Sequence, residues 1–206
     1  MKNILLITVV GISFCSCGNV AKLNMTLSSV DVSRDTSSIL HILENDTLSF
    51  VLSYEDDIIS TKWDFGDTEL ILTLENLTDY TIKIIWDDAA FIGINETAGR
   101  IMHTGTSYAD RNDFQPPTII PKKTKVIEYI VPTENIYYGS YGWIKGRLFI
   151  YHIDYLKKLI DNYTGKNIKL LIPIVIGDKK IEYIFNFKVK YVSKERMQLT
   201  RSVYFM

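Results

Sequence analysis

Cysteine is nearly absent from this chain: there are two in 206 residues, at positions 15 and 17. Everything after residue 17 must therefore hold together by burial and hydrogen bonding, without a disulfide. A Cys-x-Cys pair with no further ligand beside it lacks the donor set of a metal site and the βαβ setting of a redox motif. Histidine is scarce as well. His41, His103 and His152 lie far apart and none has a second ligand at i+2 or i+4, which argues against a metal centre. The chain has no G-x-S-x-G, H-E-x-x-H, P-loop or EF-hand loop, so the common hydrolase, zincin, nucleotide and calcium signatures are missing. Neither sign of charge dominates: 23 basic residues against 24 acidic ones give a net charge of −1, and no field draws in nucleic acid. The adjacent acids Asp56 with Asp57 and Asp87 with Asp88 do not make a glycosidase couple, because strand neighbours point to opposite faces. "EDD" at 55–57, "PKKTK" at 121–125 and "DRND" at 110–113 read as solvated turns and a polar loop, not as binding patches or a calcium site. The expectation is a non-enzymatic binding or accessory module with no catalytic residue, no cofactor and no metal; the alternatives are a purely structural subunit and, last, a hydrolase with an unrecognised site.

Long apolar runs are missing too, apart from one short stretch. After Met1, Lys2 and Asn3 comes "ILLITVVGISF", residues 4–14. A run of this length suits the core of a secretory signal, which needs ~7–15 residues; a spanning helix needs ~20. The chain turns polar at "GNVAKLN", so export without embedding is expected. The stretch "FCSC", residues 14–17, resembles the lipobox of bacterial lipoproteins. Ser16 takes the small position before Cys17, and Phe14 stands where leucine is usual. The resemblance implies a signal peptide over 1–16 and acyl chains on Cys17, with Cys15 lost in processing. The lipid bilayer then becomes a partner, since several chains hold far more firmly than one. The implied location is the cell envelope, at the outer membrane, facing the periplasm or the cell surface.

Without Lys2 the balance is 22 basic to 24 acidic residues, and the remaining length suits one domain. Residues 17–37 are expected to hold the lipidated cysteine and a polar tether, which as a coil of ~20 residues would span about 25 Å. The alternative is that Val30 and Val32 belong to a first strand. Residues 38–206 are expected to form a single domain.

From residue 39 apolar residues alternate with a period of two between turn residues, the mark of half-buried strands. "DTLSFVLSY", "DIISTKWDF" and "TELILTLEN" lead, the last two separated by the hairpin signal Gly66-Asp67. Leu70, Leu72 and Leu74 share one face, as do Ile82, Ile84 and Trp86 in "YTIKIIW". "TKVIEYIV", "IKLLIPIVI" and "KIEYIFNFKVKYV" follow, with Tyr183, Phe185, Phe187, Val189 and Tyr191 expected to face inward. "HIDYLKKLIDNY", residues 152–163, puts Leu156, Leu159, Ile160 and Tyr163 on one helical stripe, with Asp154 as a cap. The sum is an all-β, antiparallel β-sandwich with one short helix.

The run "ENDTLSFVLSY", "ILTLENLTDYTIKIIWDDAAFI", "PPTIIPKKTKVIEYIVP" and "LLIPIVIGDKKIEYIFNFKV" resembles the immunoglobulin-like domain of small Bacteroidota lipoproteins, over roughly residues 44–192. The resemblance implies an immunoglobulin-like sandwich and an envelope location, and brings no activity to any residue. "WDFGD", residues 63–67, is similar to the hallmark of PKD domains, but Thr68 replaces the next glycine. It reads instead as a hairpin with Trp63 and Phe65 facing the core.

The N-x-T sequences at Asn24, Asn45, Asn76, Asn95 and Asn162 read as turn chemistry. "DTL" at 46–48 resembles the Bacteroidota O-glycosylation motif, with Thr47 as acceptor. One segment asks for more: "ENIYYGSYGWIKGRLF", residues 134–149, sets Tyr137, Tyr138, Tyr141 and Trp143 among three glycines. Such rings can stack on a glycan or anchor an envelope protein. Core packing is their commoner use. Exposure decides between the two.

Overall fold

The computed structural model describes residues 19–33, 38–39, 52–149 and 156–196. Cys17, His41, Thr47, His152 and Asp154 lie outside them. The strands are β1 (Asn19–Val32), β2 (Ser38–Ile39), β3 (Ser53–Glu55), β4 (Ile59–Phe65), β5 (Leu70–Asn76), β6 (Ile82–Ile84), β7 (Ala90–Ile92), β8 (Ala98–Met102), β9 (Thr118–Ile120), β10 (Lys125–Pro132), β11 (Ile136–Gly139), β12 (Gly142–Lys145), β13 (Asn167–Ile176) and β14 (Lys179–Arg196), with one helix, α1 (Leu156–Tyr163). The fold is all-β, and every described pairing is antiparallel.

Twelve strands form one continuous sheet in the order β2-β1-β14-β13-β7-β8-β10-β5-β4-β3, with β6 pairing β13 and β9, while β11 and β12 make a separate hairpin. The sheet curls until its two arms face each other, and the result is nearly closed and barrel-like. The alternation read from the sequence drives this. Leu70, Leu72, Leu74, Ile82, Ile84 and Trp86 are all fully buried, and each such aliphatic or aromatic side chain contributes roughly 1.5–3 kcal/mol. Trp63 of β4 meets Phe185 and Phe187 of β14 edge-on, at 5.0 and 5.4 Å between ring centres, and Phe65 meets Phe187 at 5.1 Å. The two arms are thus joined by aromatic contacts across the core.

Several expectations need correcting. Of the two readings of the segment after Cys17, residues 19–32 follow the first-strand alternative with Val30 and Val32 and not the tether. They form β1, paired with β14 from Asn19 opposite Arg196 to Val32 opposite Tyr183. Ala21, Leu23, Met25 and Val30 are buried, so a segment poor in apolar residues still supplies enough of them for one core-facing strip. The second correction concerns Tyr191. The inward series holds from Tyr183 to Val189, but Tyr191 is half-exposed and Val192 is buried in its place. Lys190 is an extra residue between the Val189–Met25 and Tyr191–Asn24 pairs. A bulge of this kind inverts the parity of everything beyond it.

The helix lies where its stripe puts it, with Leu159 buried and Leu156 and Tyr163 packed on the core, while Ile160 is more exposed than the stripe implies. Asn76 and Asn95 serve turns: Asn76 is buried and bridges Thr78, Tyr80, Ile120 and Pro121, and Asn95 accepts from the Thr97 amide. Asn24 and Asn162 sit in β1 and α1 instead.

The molecule has two ends. Tyr54 and Asp56 meet Tyr183, near the start of β14, whereas Phe65 meets Phe187, nearer its finish. The β4–β5 turn, residues 66–69, therefore lies at the end where β14 finishes and, by antiparallel pairing, where β1 begins. We call this the entry end; the Gly177-Asp178 turn that opens β14 marks the far end.

Candidate functional site

The hairpin of β11 and β12 is built by its glycines. Gly139 pairs with Gly142 across the two-residue loop Ser140-Tyr141, and Gly142 has φ of 117°, a conformation open to glycine and strained for other residues. A Cβ on Gly139 would come within 2.5 Å of Ile144 Cδ1. Its absence lets Ile144 fold back over the strand. The base is tied to the β4–β5 turn: Lys145 pairs with Glu69, and the Leu148 amide donates to the Asp67 carbonyl at 2.9 Å. The hairpin therefore projects from the entry end.

All four aromatic residues singled out in this segment are on that hairpin and accessible: Tyr137 is 51% exposed, Tyr138 72% and Trp143 39%, and Tyr141 at the tip is fully exposed. They do not extend the core. Tyr138 and Trp143 face each other across the hairpin, edge to face at 5.4 Å. Arg111, from the loop between β8 and β9, lays its guanidinium over the Trp143 ring at 4.8 Å and donates to the Tyr108 carbonyl at 3.1 Å. This cation–π contact joins residues 32 positions apart, with no signal in the local sequence.

A second constellation is buried. Glu128 and His103 are 5% and 7% exposed, with His103 Nδ1 donating to Glu128 Oε2 at 3.3 Å. Thr118 donates to Glu128 Oε1 at 2.7 Å and accepts from the Trp86 indole at 2.8 Å. The His103 ring stacks on Trp86 at 4.4 Å, and Gln115 accepts from the His103 amide while donating to the Ile101 carbonyl. Burial pushes the Glu128 carboxyl up, but hydrogen bonds from His103 and Thr118, the electrostatic attraction of His103, and a hydrogen bond from Thr104 together hold it below its ordinary value of 4.5. With both oxygens engaged and Trp86 over the imidazole, the network stitches β8, β9 and β10 together. One signal for Glu128 was readable: in "TKVIEYIV" it shares parity with Val126 and Ile130, the inward set.

The adjacent acids Asp87 and Asp88 go separate ways, Asp87 to Arg100 and the Gln115 amide, Asp88 to Lys180. Among the described residues no group of three His, Cys, Asp or Glu side chains could hold a metal ion, and no helix is long and apolar enough to cross a membrane. The sequence-derived sites Cys17 and Thr47 lie outside the described residues. No protein family, curated protein or solved structure matches this chain.

Proposed function

We propose that the chain is a lipid-anchored module of the bacterial cell envelope, held through Cys17, whose role is non-catalytic binding or support. The observation that carries this reading is the order of pieces at the N-terminus: a short apolar run, Ser16 and Cys17, then a core strand from Asn19. The recognition surface of the module is the aromatic hairpin, with Tyr137, Tyr138, Tyr141, Trp143 and the guanidinium of Arg111. A non-enzymatic role is supported by His103 and Glu128 being engaged with each other, with Thr118 and with Trp86. We read the sheet as an immunoglobulin-like sandwich. Face-to-face packing of β4 on β14 supports it; the unbroken sheet path through β8 and β10 speaks for a flattened barrel.

Metabolic labelling with a fatty acid tests the anchor. Wild type should take up label and Cys17→Ala should not; label persisting in the variant would contradict the reading.

A further inference from the structure

Where the anchor joins the fold limits how the fold can sit. Only residue 18 separates Cys17 from Asn19, so the linkage spans at most ~7 Å of extended chain. Asn19 is already paired with Arg196 in β1 and β14. A coil tether would let the domain move well away from the anchor; a strand that starts two residues after it keeps the start of β1 close to it. The entry end is thereby held against whatever membrane receives the acyl chains.

Two features of that end suit such a surface. The first is the aromatic hairpin, which projects from it. Tyrosine and tryptophan favour the membrane–water boundary, where an apolar ring and a polar tip are both satisfied. The Trp143 ring is poorly disposed to stack on a sugar: Arg111 covers one face of it, and Tyr138 lies edge to face against the same indole. The second feature is charge. Gly165 and Lys166 bond to Val189, which places the end of α1 beside the outer part of β14. Lys166, Lys190 and Lys194 are exposed there, as are Lys157 and Lys158 on α1; Asp161 and Glu195 are the acids of these segments, and Asp67, Asp110, Asp113 and Glu134 are exposed in the segments that carry the hairpin and Arg111. Anionic lipid headgroups attract the lysine side of that end.

We propose that the aromatic hairpin, with Arg111 and these lysines, is a second foot on the bilayer: the tip of β11 and β12 enters the headgroup region of an anionic membrane beside the acyl chains. This rests on Cys17 being the anchor.

The test uses the full lipidated chain in vesicles of phosphatidylethanolamine and phosphatidylglycerol whose acyl chains carry bromine. Trp63 and Trp86 are 1% and 0% exposed in the core, so contact quenching by bromolipid reports mainly on Trp143. Wild-type emission should fall relative to unbrominated vesicles; Trp143→Phe should lose that fall, and Tyr141→Ser should reduce it. Replacing phosphatidylglycerol with phosphatidylcholine should weaken the quenching. Anchored protein with fatty-acid label on Cys17 and no quenching at Trp143 would overturn the second foot and leave the anchor standing. Unlabelled wild type would overturn both. No bromolipid quenching, with Trp143 emission changing instead on addition of an envelope glycan or protein, would assign the surface to that partner and also overturn the proposal.

Discussion

Phe185 is fully buried on the inner face of β14, between Trp63 and Tyr54, while Lys188 on the same strand points outward. Truncating a buried phenylalanine removes transfer energy and leaves a cavity, at a cost of about 3–5 kcal/mol; an exposed lysine matters by less than about 0.5 kcal/mol. Urea titration of the full chain carrying Cys17→Ala should show Phe185→Ala lowering the midpoint sharply and Lys188→Ala scarcely moving it. Equal effects would mean that the register of β14 is wrong. Glu128 makes a different kind of prediction. Its carboxyl is held below its ordinary value in the folded state, so its contribution is present above the unfolded pKa and is lost as pH falls through the folded one. Urea midpoints followed into acid should decline through that window in wild type. Glu128→Gln should start lower near neutrality and decline less; parallel curves would show that the carboxylate does not contribute in this way.

At the scale of elements, alternation made β4, β5, β6, β13 and most of β14 legible, because parity alone decides which side chains enter a one-sided core. The failures share one cause. Tyr191 and β1 depend on bulges, at Lys190 and between Leu27 and Ser29, and an extra residue shifts parity without any compositional mark. Over residues 19–32 the tether reading gives way to the first-strand alternative, whose pattern is hard to see because β1 alternates across such a shift. Removing the residues before 29 would strip β14 of most of its partner strand. The aromatic segment was legible as a cluster, but its exposure and its contact with Arg111 arise from tertiary placement. The hairpin itself turns on Gly142. Gly142→Ala forces alanine to a positive φ at a cost on the order of 1–3 kcal/mol. Amide exchange within residues 136–145 should quicken while the core strands keep their protection, since β11 and β12 pair only with each other among the described residues. Unchanged exchange in the hairpin would show that the turn tolerates alanine.

For the whole molecule, the nearly closed sheet was not readable from the strands one at a time. It depends on β10 pairing β5 along most of its length and β8 at its end, a long-range choice that local patterns do not encode. The same topology sets the polarity of the molecule, with Asn19 and the aromatic hairpin at one end and the Gly177-Asp178 turn at the other. The central claim is that the first of these ends faces the bilayer. Spin labels on Ser140→Cys at the hairpin tip and on Asp178→Cys at the far turn, each in the full lipidated chain on anionic vesicles, test it most directly. Lipid-soluble oxygen should broaden the Ser140 signal and a water-soluble nickel complex should broaden the Asp178 signal. If nickel reaches both labels equally, or oxygen favours Asp178, the orientation is wrong.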